Sequence, residues 1–188
     1  MELGSPLRNE KIALEPAHES NVDLLVRWTL DPVAQGPYKR VPPMTAEELR
    51  HLFLHAPDRW YFLIRTTTDH KPLGRFYYRA WHFHPDAERI DWELNIFIAD
   101  PADRGQGYGT AVQALALEFL LQFPETHTVF AYTFAANTGE RRALQKAGFE
   151  KVGPLPSRYY RVRLPPEPCV LYVRRKGIDP HAHRDSDL

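Results

Sequence analysis

Between Arg89 and Phe123 the chain changes its period once, and that change restricts the fold more than any other feature. Ile90, Trp92, Leu94, Ile96 and Ile98 alternate with Asp91, Glu93, Asn95 and Phe97, the period of a strand with an apolar face and a face carrying the polar groups. From Gly107 onward Ala111, Val112, Leu115, Ala116, Phe119 and Leu120 recur at helical spacing, and Pro124 closes the run. The link is Asp100-Pro101-Ala102-Asp103 followed by Arg104-Gly105-Gln106-Gly107-Tyr108-Gly109. Alternate glycines let a ligand approach the backbone, and the first amides of the following helix lie unpaired at the positive end of its dipole. An anion site is expected there, with Arg104 adding a full charge; a tight turn with no ligand would use the same glycines.

Upstream, Lys11 to Leu14 reads as a first strand. Val22, Leu25, Val26 and Leu30 then form the stripe of a helix that Ser20 or Asn21 would cap and Asp31-Pro32 would end. Thr45-Ala46-Glu47-Glu48 has capping-box spacing and opens a second helix through His55, so Gly36 to Pro43 is a loop suited to walling an acceptor site. Trp60 to Thr66 and Leu73 to Phe83 predict an antiparallel hairpin about Asp69-His70-Lys71-Pro72. Downstream come a strand over Thr128 to Phe134 and a helix over Thr138 to Ala147, capped by Asn137 and ended by Gly148. Strands from Phe149 to Val152 and from Pro168 to Arg174 follow. The order predicts an α/β (α+β) fold: a mixed, mostly antiparallel central sheet flanked by helices on both faces, one domain over residues 1–176 with a polar tail at 177–188.

Several function classes drop out. With 24 basic and 24 acidic residues there is no global field to attract a nucleic acid or a membrane surface. No apolar run approaches the roughly 20 residues of a membrane span, and Met1 to Pro6 lacks the regions of a signal peptide, so a cytoplasmic location is expected. Cys169 is the single cysteine, which excludes an intrachain disulfide and a multi-thiolate metal site. His82 and His84 alternate onto one face without a third ligand nearby, and no metal is expected. A dinucleotide fingerprint needs glycine where Thr110 or Val112 stands, and the Gly-Lys-Ser/Thr of a Walker loop does not occur.

Arg104-Gly105-Gln106-Gly107-Tyr108-Gly109 is similar to the Gln/Arg-x-x-Gly-x-Gly/Ala motif of the GNAT superfamily of N-acetyltransferases. Glu93 to Ile98 before it and Gly109-Thr110-Ala111 after it resemble the branch containing the ribosomal-protein acetyltransferases RimJ and RimL. So does Asn137 to Phe149, an asparagine followed at fixed spacing by Lys146 and Gly148-Phe149. The resemblance covers roughly residues 10–175.

It implies acetyl-CoA as co-substrate and a V-shaped opening between two central strands. The pantetheine arm would pair with the backbone of Phe97, Ile98 and Ala99. The pyrophosphate would meet the amides of Gly105, Gln106, Gly107, Tyr108, Gly109 and Thr110, beside Arg104. Asn137 would bond the pantetheine region or only cap its helix. Glu93 matches the branch's glutamate and is the implied general base; pairing with Arg75 or Arg79 is the alternative role. Many members carry a tyrosine acid where this chain has Leu144, which leaves Tyr108, Tyr132 or water. Glu140 departs from the small or hydroxyl residue usual in the branch. Tyr77, Trp81 and Trp92 read as packing residues or as an aromatic wall. The implied function is acetyl transfer to a peptide or small-molecule amine by a monomer or homodimer. The alternative is a non-catalytic acyl-CoA-binding or sensor domain.

Overall fold

The computed structural model describes residues 2–37, 41–83, 88–156 and 168–177. The polar tail from residue 178 on and His84 lie outside the described residues. Among the described residues eight strands form one sheet: β1 (Leu7–Arg8), β2 (Ile12–Pro16), β3 (Arg59–Thr66), β4 (Pro72–Trp81), β5 (Ile90–Ile98), β6 (Thr126–Phe134), β7 (Glu150–Pro154) and β8 (Cys169–Arg175). Their spatial order is β1-β2-β3-β4-β5-β6-β8-β7. Every neighbouring pair is antiparallel except β5 with β6, whose connection runs through α4 (Tyr108–Leu120). The mixed, mostly antiparallel α/β fold is the one expected.

Alternation sends each strand's residues to two helical layers. One face (Ile12, Leu14, Phe62, Ile64, Phe76, Tyr78, Trp92, Leu94, Val129, Ala131 and Tyr172) packs on Val112, Ala116, Leu117, Phe119 and Leu120 of α4 and on Leu144 of α5 (Thr138–Lys146). Each such aliphatic or aromatic side chain taken from water contributes about 1.5–3 kcal/mol. The other face puts Tyr61 and Leu63 against α1 (Val22–Leu30) and α3 (Ala46–His55). Both faces of β5 are therefore covered. Its polar side is interior, with Asp91 and Glu93 buried.

Local chemistry explains where the helices start. Thr45 and Glu48 form the expected reciprocal capping box. Asn137 caps α5 by accepting from the Glu140 amide at 3.2 Å. Asn21 precedes α1, but its side chain bonds His18 N–H and Pro16 C=O instead of capping. The first helix ends at Asp31 as expected, and there the extended Asp31 caps a further short helix, α2 (Pro32–Gln35), with its carboxylate accepting from Val33 N–H and proline in the first turn.

Candidate active site

The sheet parts in its middle. β5 and β6 pair only from Ile90↔Thr126 to Glu93↔Phe130, after a register shift at Ile90/Asp91, although β5 runs on to Ile98 and β6 to Phe134. β4 stays bonded to β5 throughout, through Gly74↔Ile98. The Ala99 N–H donates to Leu73 C=O at 2.9 Å, so the odd-numbered residues of β5 bond β4 and the even-numbered ones face β6. Beyond the parting the N–H groups of Ile96 and Ile98 point into the gap. Of the residues expected to pair through their backbone, Ile98 faces the gap, Phe97 and Ala99 face β4, and Ile96, not named from the sequence, also faces the gap.

At the far end of β5 the glycine turn delivers α4. Gly105 and Gly107 hold positive φ (76° and 80°), and Gly107 is the N-cap of α4 without any side-chain cap. The first backbone bond is Ala111 N–H to Gly107 C=O, which leaves the Tyr108, Gly109 and Thr110 amides ahead of it. Cβ atoms built on Gly105 or Gly109 would meet nothing within 4 Å. A splayed strand edge running into an uncapped helix N-terminus fits an amide-rich arm ending in a pyrophosphate.

Arg104 is engaged otherwise than expected. Its Nε donates to Ile98 C=O at 3.0 Å, and its Nη2 lies 3.1–3.2 Å from the carbonyls of Val33, Ala34 and Ala99. The guanidinium thus fastens the end of β5 to α2. Lys11, not singled out in the sequence, reaches the turn from the start of β2: its Nζ donates to Gln106 C=O at 2.6 Å and stands 5.1 Å from the centre of the Tyr108 ring. Tyr108 thus lies under the Lys11 ammonium. No local pattern signals this, because the contact joins positions about a hundred residues apart.

Glu93 is the last residue of β5 that pairs with β6, and it is 3% exposed. Trp81 Nε1–H donates to its Oε2 at 2.8 Å, Tyr77 Oη lies 3.5 Å from Oε1, and Arg79 Nη1 is 4.0 Å from Oε2. Arg79 is bound more closely by Asp58, at 3.0 Å. Burial and the nearby Glu93 charge push the Tyr77 hydroxyl well above its ordinary range, so it stays protonated. Tyr132 belongs to β6 beyond the parting, two residues after the Glu93 partner Phe130 and on the same face. Leu144 is fully buried between α5 and the sheet. Glu140 accepts from Gln113 of α4, and Trp92 is a core residue bonded to Thr126. Cys169 is buried and reduced. Among the described residues no three His, Cys, Asp or Glu side chains gather to hold a metal, and no helix is long and apolar enough to cross a membrane.

A mostly antiparallel sheet parted in the middle, with a glycine-turned helix at the end of the parted strand, is a fold this chain shares with solved acetyltransferase structures. The family model described as the acetyltransferase (GNAT) domain matches residues 11–150, and the chain belongs to that family. Comparison with curated proteins finds no match. Solved structures of the same fold include the aminoglycoside acetyltransferase AAC(6')-Ib in complex with coenzyme A, at TM-score 0.68 and 18% identity, covering 87% of this chain and 94% of that one. A GNAT-family acetyltransferase from Bacillus anthracis gives TM-score 0.69 at 14% identity, with coverages of 91% and 98%. A spermidine N-acetyltransferase chimera involving Vibrio cholerae gives 0.67 at 13%, with coverages of 88% and 95%.

Proposed function

We propose that the chain transfers the acetyl group of acetyl-CoA to a primary amine by direct attack of the amine on the thioester. One observation carries this reading: β5 and β6 part at Glu93, and the parted strand ends in the uncapped N-terminus of α4. The co-substrate supplies an activated carbonyl. The chain supplies amide donors from Gly105 to Thr110 for the pyrophosphate and the N–H groups of Ile96 and Ile98 for the arm. Glu93 accepts the proton of the incoming ammonium, steadied by Trp81 and Tyr77. Tyr132, across the gap on the same face, gives its proton to the leaving thiolate and regains one as the acylated nitrogen loses its second proton. The coenzyme A bound in the AAC(6')-Ib structure supports the cofactor. Amine acceptors named for the neighbours, an aminoglycoside and spermidine, support the acceptor class, and the RimJ/RimL resemblance adds a protein N-terminus.

A second reading is favoured by the buried Leu144, which stands where many members have their acid: an acyl-CoA-binding sensor without turnover. Calorimetric titration with acetyl-CoA and CoA, followed by thiol release with a broad amine panel, separates the two. The transferase reading expects binding and turnover, with kcat falling about 10²–10⁴-fold in Glu93→Gln at unchanged acetyl-CoA affinity. Binding without turnover by any amine selects the sensor; no binding by the folded protein refutes both.

A further inference from the structure

Among the described residues, the polar face of the sheet around Glu93 carries more arginines than carboxylates. Arg59, Arg75 and Arg79 rise from it with Asp58 and Glu93. Asp58 serves Arg79 at 3.0 Å and Arg59 at 3.4 Å, and Glu93 lies 4.0 Å from Arg79. Asp91, further down the strand, is taken by His127 at 3.0 Å. Arg75 has no carboxylate among the described residues, and burial lowers its pKa with only the hydroxyls of Tyr61 and Tyr77 opposing. It is 9% exposed.

What surrounds Arg75 is aromatic. Its guanidinium carbon lies 5.1 Å from the ring centre of Phe97, 5.2 Å from Phe53, 5.6 Å from Tyr61 and 5.7 Å from Tyr77. Rings over a guanidinium attract its charge, but they do not take the in-plane N–H bonds. Arg75 Nε is buried without a hydrogen bond, and so is Arg79 Nη2 on the same face. A planar fork held by aromatic rings, with unused donors and one unbalanced charge, is the arrangement that a carboxylate completes bidentately. Burying a guanidinium with no carboxylate among the described residues is costly, and a bound carboxylate would offset that cost.

We propose that Arg75 binds a carboxylate on the acceptor, so that the amine acetylated is an amino-acid-like molecule and not a polycation. The proposal rests on reading the face of Glu93 as the acceptor side. Arg75 stands four residues along β4 from Arg79, the partner of Glu93, a backbone offset of about 13 Å that two long side chains shorten from both ends. An amine and a carboxylate a few bonds apart on one short chain bridge that gap. A second cationic group would instead face three arginines.

The test uses three acceptors of one chain length, n-butylamine, putrescine and γ-aminobutyrate, with acetyl-CoA and thiol release as the readout. It is run on the wild type, Arg75→Met and Arg75→Lys. Succinate is titrated calorimetrically into each protein, with and without CoA, as a probe independent of turnover. The wild type is expected to favour γ-aminobutyrate over putrescine in kcat/KM by at least about tenfold, the worth of one charged hydrogen-bonded pair. Arg75→Met should level the three amines to within about twofold and lose succinate binding, with acetyl-CoA affinity unchanged and thermal stability equal or higher. Arg75→Lys should keep a reduced acid preference. A wild type that prefers putrescine, or succinate affinity that survives Arg75→Met, overturns the proposal. Failure to bind acetyl-CoA refutes the transferase reading, while the succinate titration still decides for or against Arg75; if no amine turns over, that titration alone decides.

Discussion

Glu93 was legible because strand alternation marks it as a polar residue leading into the glycine turn, and the family motif then gives it a role. Its partners were not: Trp81 and Tyr77 meet it only through the β4–β5 register, which no local pattern encodes. Arg75, which the sequence offers with Arg79 as a possible partner of Glu93, is instead enclosed in rings, and that too depends on the register and the overlying helices. Two buried tyrosines carry a prediction at this scale. Tyr77 and Tyr78 are both pushed above the ordinary tyrosine range by burial, Tyr78 while accepting the Gly4 N–H at 3.0 Å. Above about pH 10 the unfolded chain releases these protons and the folded one keeps them, so folding stability falls as pH rises through that range. Urea unfolding between pH 9 and about 11.5 should show this loss, and Tyr78→Phe should make it shallower.

The elements were read more fully than their junctions. The capping box at Thr45 and the Asn137 cap appear as expected, since caps are set by residues three apart, and Thr45→Ala should cost about 1 kcal/mol in urea unfolding. The first helix ends at Asp31-Pro32 as expected, but the same pair also starts a second helix that the sequence reading does not contain: an acceptor with proline next to it begins α2 as readily as it ends α1. That second helix supplies two of the carbonyls that hold Arg104. The side chain expected beside the phosphate thus also fixes position, through Ile98, Ala99, Val33 and Ala34. Arg104→Lys keeps the charge and loses the fork, so it should weaken acetyl-CoA binding by about as much as Arg104→Gln. If lysine restores wild-type affinity, the side chain acts as a charge and not as a clamp. Gly107→Ala places a Cβ at φ 80° in the turn itself and should cost about 1–2 kcal/mol of stability.

At the scale of the molecule, the short parallel pairing of β5 with β6 joins two antiparallel stretches of sheet, and the proposed cofactor lies where that pairing stops. Element order predicted a mixed sheet with helices on both faces, but not that the polar side of β5 would be interior. Alternation reports two kinds of face, and burial of the polar one depends on α1 and α3 covering it. A ligand that pairs with β5 inside the gap should strengthen the joint. Acetyl-CoA at a hundred times its Kd should add about 2.7 kcal/mol and raise the melting temperature by about 5–10 °C. Gly74 guards the same region from the other side: a Cβ there would lie 2.1 Å from the Phe97 carbonyl oxygen, so Gly74→Ala should displace β5 and lower that ligand-induced shift.

The indole of Trp81 donates to the carboxylate proposed as base, at 2.8 Å. Its excited state feels whatever charge that oxygen carries. Arrival of a proton at Glu93, or of an ammonium beside it, therefore has an optical signature in the unlabelled protein, isolated from the other three indoles by subtracting the Trp81→Phe spectrum. The residue that orients the base also makes its protonation visible as a change in the colour and yield of emitted light.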